Sequence, residues 1–165
     1  MFGLAVAAIA VVGVADAAVT KLASVGSWEL YGGTADDGKP VCSMSSSGNG
    51  LYFGVKYYKG DSGLTIQVSH SDWKLKDGLK IKTTMQFDKG SPWSANASSF
   101  HWSSGEAALE LLIPNSSIDA WIEEFAAADS MLLSFPDEKA VDDWQLDLAG
   151  SSTIAQRMET CAHKL

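Results

Sequence analysis

Apolar and polar residues alternate with a period of two along much of the chain, which is the pattern of half-buried β-strands. In the segment 51–58, apolar residues occupy the odd positions. The polar turn 59–63 then leads to a returning strand, 64–70, and Asp77-Gly78 is typical of a second hairpin. Strands are predicted over residues 27–31, 41–45, 51–58, 64–70, 73–75, 79–87, 107–113, 131–135 and 144–148.

After Pro114 the apolar residues recur at three- and four-residue steps, as they do on one face of a helix. A helix is therefore predicted near 117–128. Its apolar face comprises Ile118, Trp121, Ile122 and Phe125. A second helix is predicted near 152–163, where Thr153 and Gln156 have the spacing of a capping box. Its apolar face includes Cys161.

The order of these elements predicts a mainly β (α+β) fold, an antiparallel β-sandwich or squashed barrel with both helices on one flank. A doubly wound α/β fold would require helices between successive strands, and the pattern shows none within the first hundred residues. Residues 107–113 are predicted as a strand, although their composition would also suit a helix. A chain of 165 residues has room for one ordinary domain.

The first 17 residues, MFGLAVAAIAVVGVADA, are small and apolar apart from Asp16. They end in Ala15-Asp16-Ala17, the small-x-small pattern of a signal peptidase site. The apolar stretch is shorter than the roughly 20 residues of a bilayer-spanning helix. We therefore expect 1–17 to be a signal peptide and 18–165 to be a single exported domain. An uncleaved N-terminal anchor or a buried core helix is the alternative.

The chain contains two cysteines, Cys42 and Cys161. An even number of cysteines in an exported domain is typical of disulfides, and here one intramolecular pairing is possible. That disulfide would attach the C-terminal helix to the early strands. Metal binding is the alternative, but neither a CxxC nor a CxxH spacing occurs. We therefore predict a disulfide, and we expect neither a bound metal nor a cofactor.

The formal net charge of −8 and the sequence pI of about 4.7 restrict the possible partners. Binding to duplex nucleic acid requires a dense basic surface, and docking on anionic lipid requires a polybasic segment. We therefore expect no nucleic-acid ligand and no transmembrane span in the mature chain. The expected partner is an envelope or secreted protein, or a small ligand.

Few residues are candidates for catalysis. His70 and Asp72 could bind a metal or orient a base, and His101 lies in a serine-rich segment where it could contact a ligand. The GxSxG, SxxK, HExxH, P-loop and GxGxxG patterns do not occur in the sequence. No catalytic residue is predicted, and a small hydrolase that uses His70 or His101 is kept as an alternative.

Tryptophan and tyrosine are abundant, with six Trp and four Tyr, and both residue types are favoured in recognition surfaces. Tyr52 and Tyr58 fall on the polar side of their predicted strand. Trp93 and Trp102 lie in segments rich in Ser, Asn and Gly. These four residues and His101 are the predicted ligand- or partner-binding residues. A second core layer is the alternative interpretation of the same aromatic residues.

Four features follow one another along the chain: an apolar leader, Trp28 shortly before a cysteine, a run of alternating strands, and a Leu-x-Leu-x-Gly-Ser segment at 146–151 that begins a helix carrying Cys161. In this order the chain resembles the small exported proteins related to invasion-associated locus B of Gram-negative bacteria. The resemblance implies a periplasmic or surface-associated β-sandwich with a non-catalytic role.

The sequence therefore predicts an exported, periplasmic or secreted module that binds a ligand or another protein and has no catalytic activity. The first alternative is an inhibitor or immunity-type protein that blocks an envelope enzyme. Such a protein would present a protruding loop, with 88–104 as the candidate, whereas a binding module would present a concave surface.

Overall fold

The fold is given by a computed structural model that describes residues 18–165. The predicted signal peptide lies outside these residues. The β-strands are β1 Val19–Val25, β2 Trp28–Thr34, β3 Pro40–Gly48, β4 Leu51–Tyr58, β5 Gly63–His70, β6 Lys80–Phe87, β7 Trp93–His101, β8 Ala107–Pro114, β9 Ser130–Ser134 and β10 Trp144–Asp147. The helices are a short 3-10 helix Asn115–Ser117, α1 Ile118–Ala127 and α2 Ser151–Ala162.

All ten strands belong to one antiparallel sheet in the order β1-β2-β3-β4-β5-β8-β7-β6-β9-β10. The edge strands β1 and β10 do not pair with each other, so the sheet is not closed into a barrel. The predicted mainly β, antiparallel fold with two late helices is confirmed, and so is the strand assignment of 107–113.

The sheet is strongly curved around α1. Six strand spacings separate β2 from β6, which amounts to about 29 Å in a flat sheet. In the protein, the rings of Trp28 on β2 and Phe87 on β6 lie 5.2 and 6.3 Å from the ring of Phe125 on α1. One side chain can contact both strands only if the sheet folds back on itself. The aromatic residues of α1 therefore fill the concave side of the sheet.

Both helices cover this concave face, as the apolar spacing predicted. Helix α1 buries Trp121, Ile122 and Phe125, and α2 buries one face that includes Met158.

The predicted capping box of α2 is wrong. Helix α2 begins after Gly150, which adopts a left-handed conformation with φ of 89°, and no side chain caps its first turn.

Cys42 on β3 and Cys161 on α2 form the predicted disulfide, with 6.0 Å between their Cα atoms. The side chain of Cys42 is fully buried. Gly32 on β2 lies directly beside the bond, where a Cβ atom would be 3.1 Å from Cys161 Sγ and 2.8 Å from the Leu22 side chain. A residue without a side chain therefore allows α2 to approach the sheet at this point.

Three local predictions were wrong. Strand β1 was not predicted, and residues 93–101 form strand β7 instead of a polar loop. Trp73 and Leu75 are buried as their alternation suggested, but residues 73–75 do not form a strand. The Asp77-Gly78 turn therefore precedes β6 without joining two strands.

Candidate binding surface

The sheet has an outer face, defined as the face opposite to the two helices. On β4, Phe53 and Val55 are buried on the concave side, so the alternating residues Tyr52, Lys56 and Tyr58 project from the outer face. All three are half-buried, although neither α1 nor α2 covers this face. Their neighbours on the same face must therefore provide the cover.

An aromatic cluster on the outer face supplies part of this cover. The Trp102 ring contacts the Tyr52 ring edge-on with 6.0 Å between centroids, and it contacts Phe100 at 4.8 Å. Trp102 lies just after β7 in a turn closed by a backbone hydrogen bond from Gly105. Tyr52 lies across Gly54, where an added Cβ would be 2.2 Å from the phenol oxygen. Glycine at position 54 makes room for the tyrosine ring.

Lys56 lies beside this cluster, with its Nζ over the Trp102 ring and 5.4 Å from the ring centroid. A cation in this position is attracted by the electrons of the indole ring. Burial lowers the pKa of Lys56, while the negative charges of Glu110 and Asp36 act in the opposite direction. Within residues 18–165 no carboxylate lies within 4.0 Å of Nζ. Lys56 is therefore a partly desolvated cation without a direct anionic partner in the described part of the protein.

Buried polar side chains continue this outer face onto β5. Gln67 and Ser69 are only 6% and 1% exposed. Gln67 Nε2 donates a hydrogen bond to Glu110 at 2.7 Å, and the Ser69 hydroxyl donates to Glu106 at 2.8 Å. Gln67 Oε1 is buried and has no hydrogen-bond partner among the described residues. The floor of this surface is therefore polar, and its two glutamates are held in place.

Two adjoining depressions on this face share Lys56, and we call them together the outer groove. The first, of about 570 Å³, lies at the β3–β4 turn. Its lining includes Ser47, Gly50, Tyr52, Lys56, Trp102 and Glu106. The second, of about 390 Å³, lies at the β2–β3 turn. Its lining includes Asp36, Asp37, Ser43, Lys56 and Tyr58. The outer groove thus follows the β3–β4 hairpin from one end to the other.

The predicted binding residues do not all meet at one place. Tyr52, Tyr58 and Trp102 line the outer groove. Trp93 lies elsewhere, because its side chain packs against the concave core and its Nε1 donates to Glu124 of α1 at 2.9 Å. His101 lies in a further depression, which adjoins the first part of the outer groove because Ser71 and Glu106 line both. Sequence reasoning missed Lys56, although its place on the polar side of the same strand as Tyr52 and Tyr58 was visible in the alternation.

A catalytic histidine contacts a carboxylate on one side and a nucleophile on the other. Of the two candidate histidines, His101 makes a close contact with a carboxylate. His101 Nδ1 lies 2.6 Å from a carboxylate oxygen of Asp77, whereas His70 Nδ1 is 3.9 Å from Asp72. No serine hydroxyl is hydrogen-bonded to either imidazole in residues 18–165.

In residues 18–165, no group of three or more His, Cys, Asp or Glu side chains is arranged to hold a metal ion. In the same range, no helix has the length and apolar character to cross a membrane.

Tyr52 should report on the packing of the outer groove through its ionisation. Burial, and next the negative charge of Tyr58 once ionised, raise the pKa of Tyr52 from 10.0 to about 12. The folded protein keeps this proton over a pH range in which the unfolded chain loses it. The free energy of unfolding should therefore fall by about 2 kcal/mol between pH 10 and 12.

Ultraviolet titration and urea unfolding of the wild type and Tyr52→Phe test this expectation. The variant should lack the tyrosine that ionises last, and it should lose less stability over this pH range. Identical titration curves, apart from the loss of one tyrosine with a pKa near 10, would contradict the buried position of the phenol.

The similarity of this chain to known proteins lies in its fold and not in its sequence. Comparison of the sequence with protein-family models and with curated proteins found no match. Among solved structures, the fold is similar to the crystal structure of invasion associated protein B from Bartonella henselae, with a TM-score of 0.60 and 15% sequence identity. The alignment covers 88% of this chain and 98% of that chain. At this identity the likeness concerns the fold, and the predicted resemblance to invasion-associated locus B proteins is therefore confirmed at the level of architecture.

Proposed function

We propose that this protein is an exported, non-catalytic binding module that holds its ligand in the outer groove. The observation that carries the proposal is the environment of Lys56. A half-buried ammonium that no carboxylate contacts within residues 18–165 costs stability, and an apolar residue at this position would pack against Trp102 without that cost. A ligand whose anionic group contacts Nζ directly gives a reason for a lysine at position 56.

The proposed export rests on the cysteines and on the predicted leader. Disulfides persist in oxidising compartments such as the bacterial periplasm and the extracellular medium, and Cys42 and Cys161 are bonded to each other. A module in this compartment would meet envelope components or secreted molecules as its ligands. We therefore propose that the protein works in the periplasm or outside the cell.

The inhibitor alternative loses its main support, because most of the segment 88–104 is strand β7 and not a protruding loop.

A hydrolase is favoured only by the contact between His101 and Asp77. Hydrolysis of a generic ester or amide probe by the wild type, abolished in His101→Ala, would favour the hydrolase over the binding module.

Nuclear magnetic resonance of ¹⁵N-labelled residues 18–165 tests the binding function. Glycan, protein and small-molecule fractions of a Gram-negative periplasmic extract would be added separately. We expect one fraction to shift the Trp102 indole signal and the amides of Tyr52 and Lys56. Trp102→Ala should weaken binding by roughly 30-fold, which corresponds to about 2 kcal/mol for an aromatic residue at the centre of a binding surface.

Trp93→Phe is the matched control, because Trp93 lies outside the groove and the substitution keeps an aromatic ring. This variant should bind as the wild type does. Shifts centred on His101, or no shift with any fraction, would contradict the proposal.

A further inference from the structure

The shape of the outer groove favours an elongated ligand. Its two parts lie at opposite ends of the β3–β4 hairpin and adjoin at Lys56. The eight residues of β4 correspond to a length of about 26 Å. A compact small molecule would fill one part and leave the other empty, whereas a linear chain could occupy both.

The floor of the groove disfavours an extended peptide. Strands β3, β4 and β5 are each paired on both sides, so their backbone donors and acceptors are already used. A peptide recognised by strand addition requires an unpaired edge, and none of these three strands offers one. A ligand that lies across them must therefore be recognised mainly by their side chains.

The side chains of the groove match the chemistry of sugars. Hydroxyl groups of Ser43, Ser47 and Ser71 and the carboxylate of Glu106 line it. A sugar hydroxyl both donates and accepts hydrogen bonds, and it can therefore pair with either kind of group. The rings of Tyr52, Tyr58 and Trp102 offer apolar surface, with a polar group on each ring, to the apolar faces of a sugar.

The charged residues of the groove restrict where a ligand can carry negative charge. Lys56 is a single cation at the junction of the two parts. Acidic residues flank it on both sides, with Glu106 in the first part and Asp36 and Asp37 in the second, and the charge of Glu110 on β8 also acts on it. A carboxylate facing Lys56 would be attracted, whereas carboxylates on either side would be repelled. The net charge of −8 adds to the repulsion of a densely charged polyanion.

We propose that the outer groove binds a linear glycan in which a carboxylate-bearing sugar faces Lys56 and neutral sugars lie on either side of it. This inference rests on the proposed binding function and specifies the ligand class. Lys56 holds the acidic sugar, and Tyr52, Trp102 and Tyr58 hold its neutral neighbours.

Three oligosaccharides of equal length test the charge pattern by calorimetry and by nuclear magnetic resonance. Hyaluronan oligosaccharides alternate acidic and neutral sugars, chitin oligosaccharides are neutral, and oligogalacturonate is acidic at every unit. We expect the alternating chain to bind about tenfold more tightly than the neutral chain, which is the contribution of one charge-assisted contact. It should also bind more tightly than oligogalacturonate.

Lys56→Gln should remove this preference while leaving the melting temperature at or above that of the wild type, because a partly desolvated charge is removed. Lys82→Gln is the matched control, since Lys82 is an exposed lysine on the outer face of β6 and does not line the groove. Its effect on binding should be negligible.

The remaining outcomes separate the two proposals. Equal binding of the neutral chain, tighter binding of oligogalacturonate, or an unchanged preference in Lys56→Gln would overturn the charge pattern and leave the binding function standing. Shifts at Trp102 caused by the protein fraction of the extract, with none caused by any glycan, would overturn the glycan as the ligand. If neither these glycans nor any extract fraction shifts the groove, both proposals fail.

Discussion

Removal of the Cys42–Cys161 disulfide is expected to lower the free energy of unfolding by about 4–5 kcal/mol. The cross-link joins residues separated by 119 positions. In the chain-entropy account, a closed loop of this length removes that much conformational freedom from the unfolded state. The bond also holds α2 against the sheet, so α2 should lose its hydrogen-exchange protection before the central strands do.

Urea unfolding measures this effect. The oxidised wild type would be compared with the reduced wild type and with Cys42→Ala/Cys161→Ala, since alanine avoids a hydroxyl in the fully buried position of Cys42. The free energies of unfolding of the reduced protein and of the double variant should agree within about 1 kcal/mol, because both lack the same cross-link. If both were as stable as the oxidised protein, the disulfide would have no part in stability.

Phe125→Ala is expected to cost about 3–5 kcal/mol, the range for truncation of a fully buried phenylalanine. Phe125 is 0% exposed. Its ring stacks on Trp121 of the same helix at 5.2 Å, and it contacts Trp28, Phe53 and Phe87 on β2, β4 and β6. The cavity would open at the point on the concave side where residues of these three strands contact one ring.

Glu123→Ala is the matched control, because Glu123 is exposed on the same helix and should change stability by no more than about 0.5 kcal/mol. Both variants would be measured by urea unfolding and by near-ultraviolet circular dichroism of the aromatic residues. A cost below about 1 kcal/mol for Phe125→Ala would mean that the surroundings collapse into the space, contrary to the central position assigned to this ring.

Alternation predicted the strands in which one face carries apolar side chains and the other carries polar ones. It succeeded for β4 and β5, where one face packs against α1. It missed β1, an edge strand in which most side chains are exposed, and β7, whose Ser, Ala and Asn residues are held by β6 and β8 on either side. It wrongly assigned 73–75 as a strand, because alternating burial occurs there without a strand partner.

For the candidate binding residues too, some positions followed from the local sequence pattern and others depended on tertiary contacts. Tyr52 and Tyr58 were predicted because they alternate with the apolar residues of one strand. Both line the outer groove. Trp93 and Trp102 looked alike in sequence, since both lie in short polar segments. They separate in the structure because Trp93 reaches Glu124 on α1, whereas Trp102 packs on Tyr52. Partners that lie far apart in sequence decided between them.

Local spacing by itself determined the mainly β class, the two late helices and the pairing of the two cysteines. These features depend on the period of apolar residues and on the number of thiols, and both can be counted along the chain. The tertiary structure decided the order of the ten strands, the curvature around Phe125 and the meeting of Tyr52, Lys56 and Trp102. Each of these depends on contacts between residues distant in sequence, which arise only when the strands pair and the sheet curves around α1.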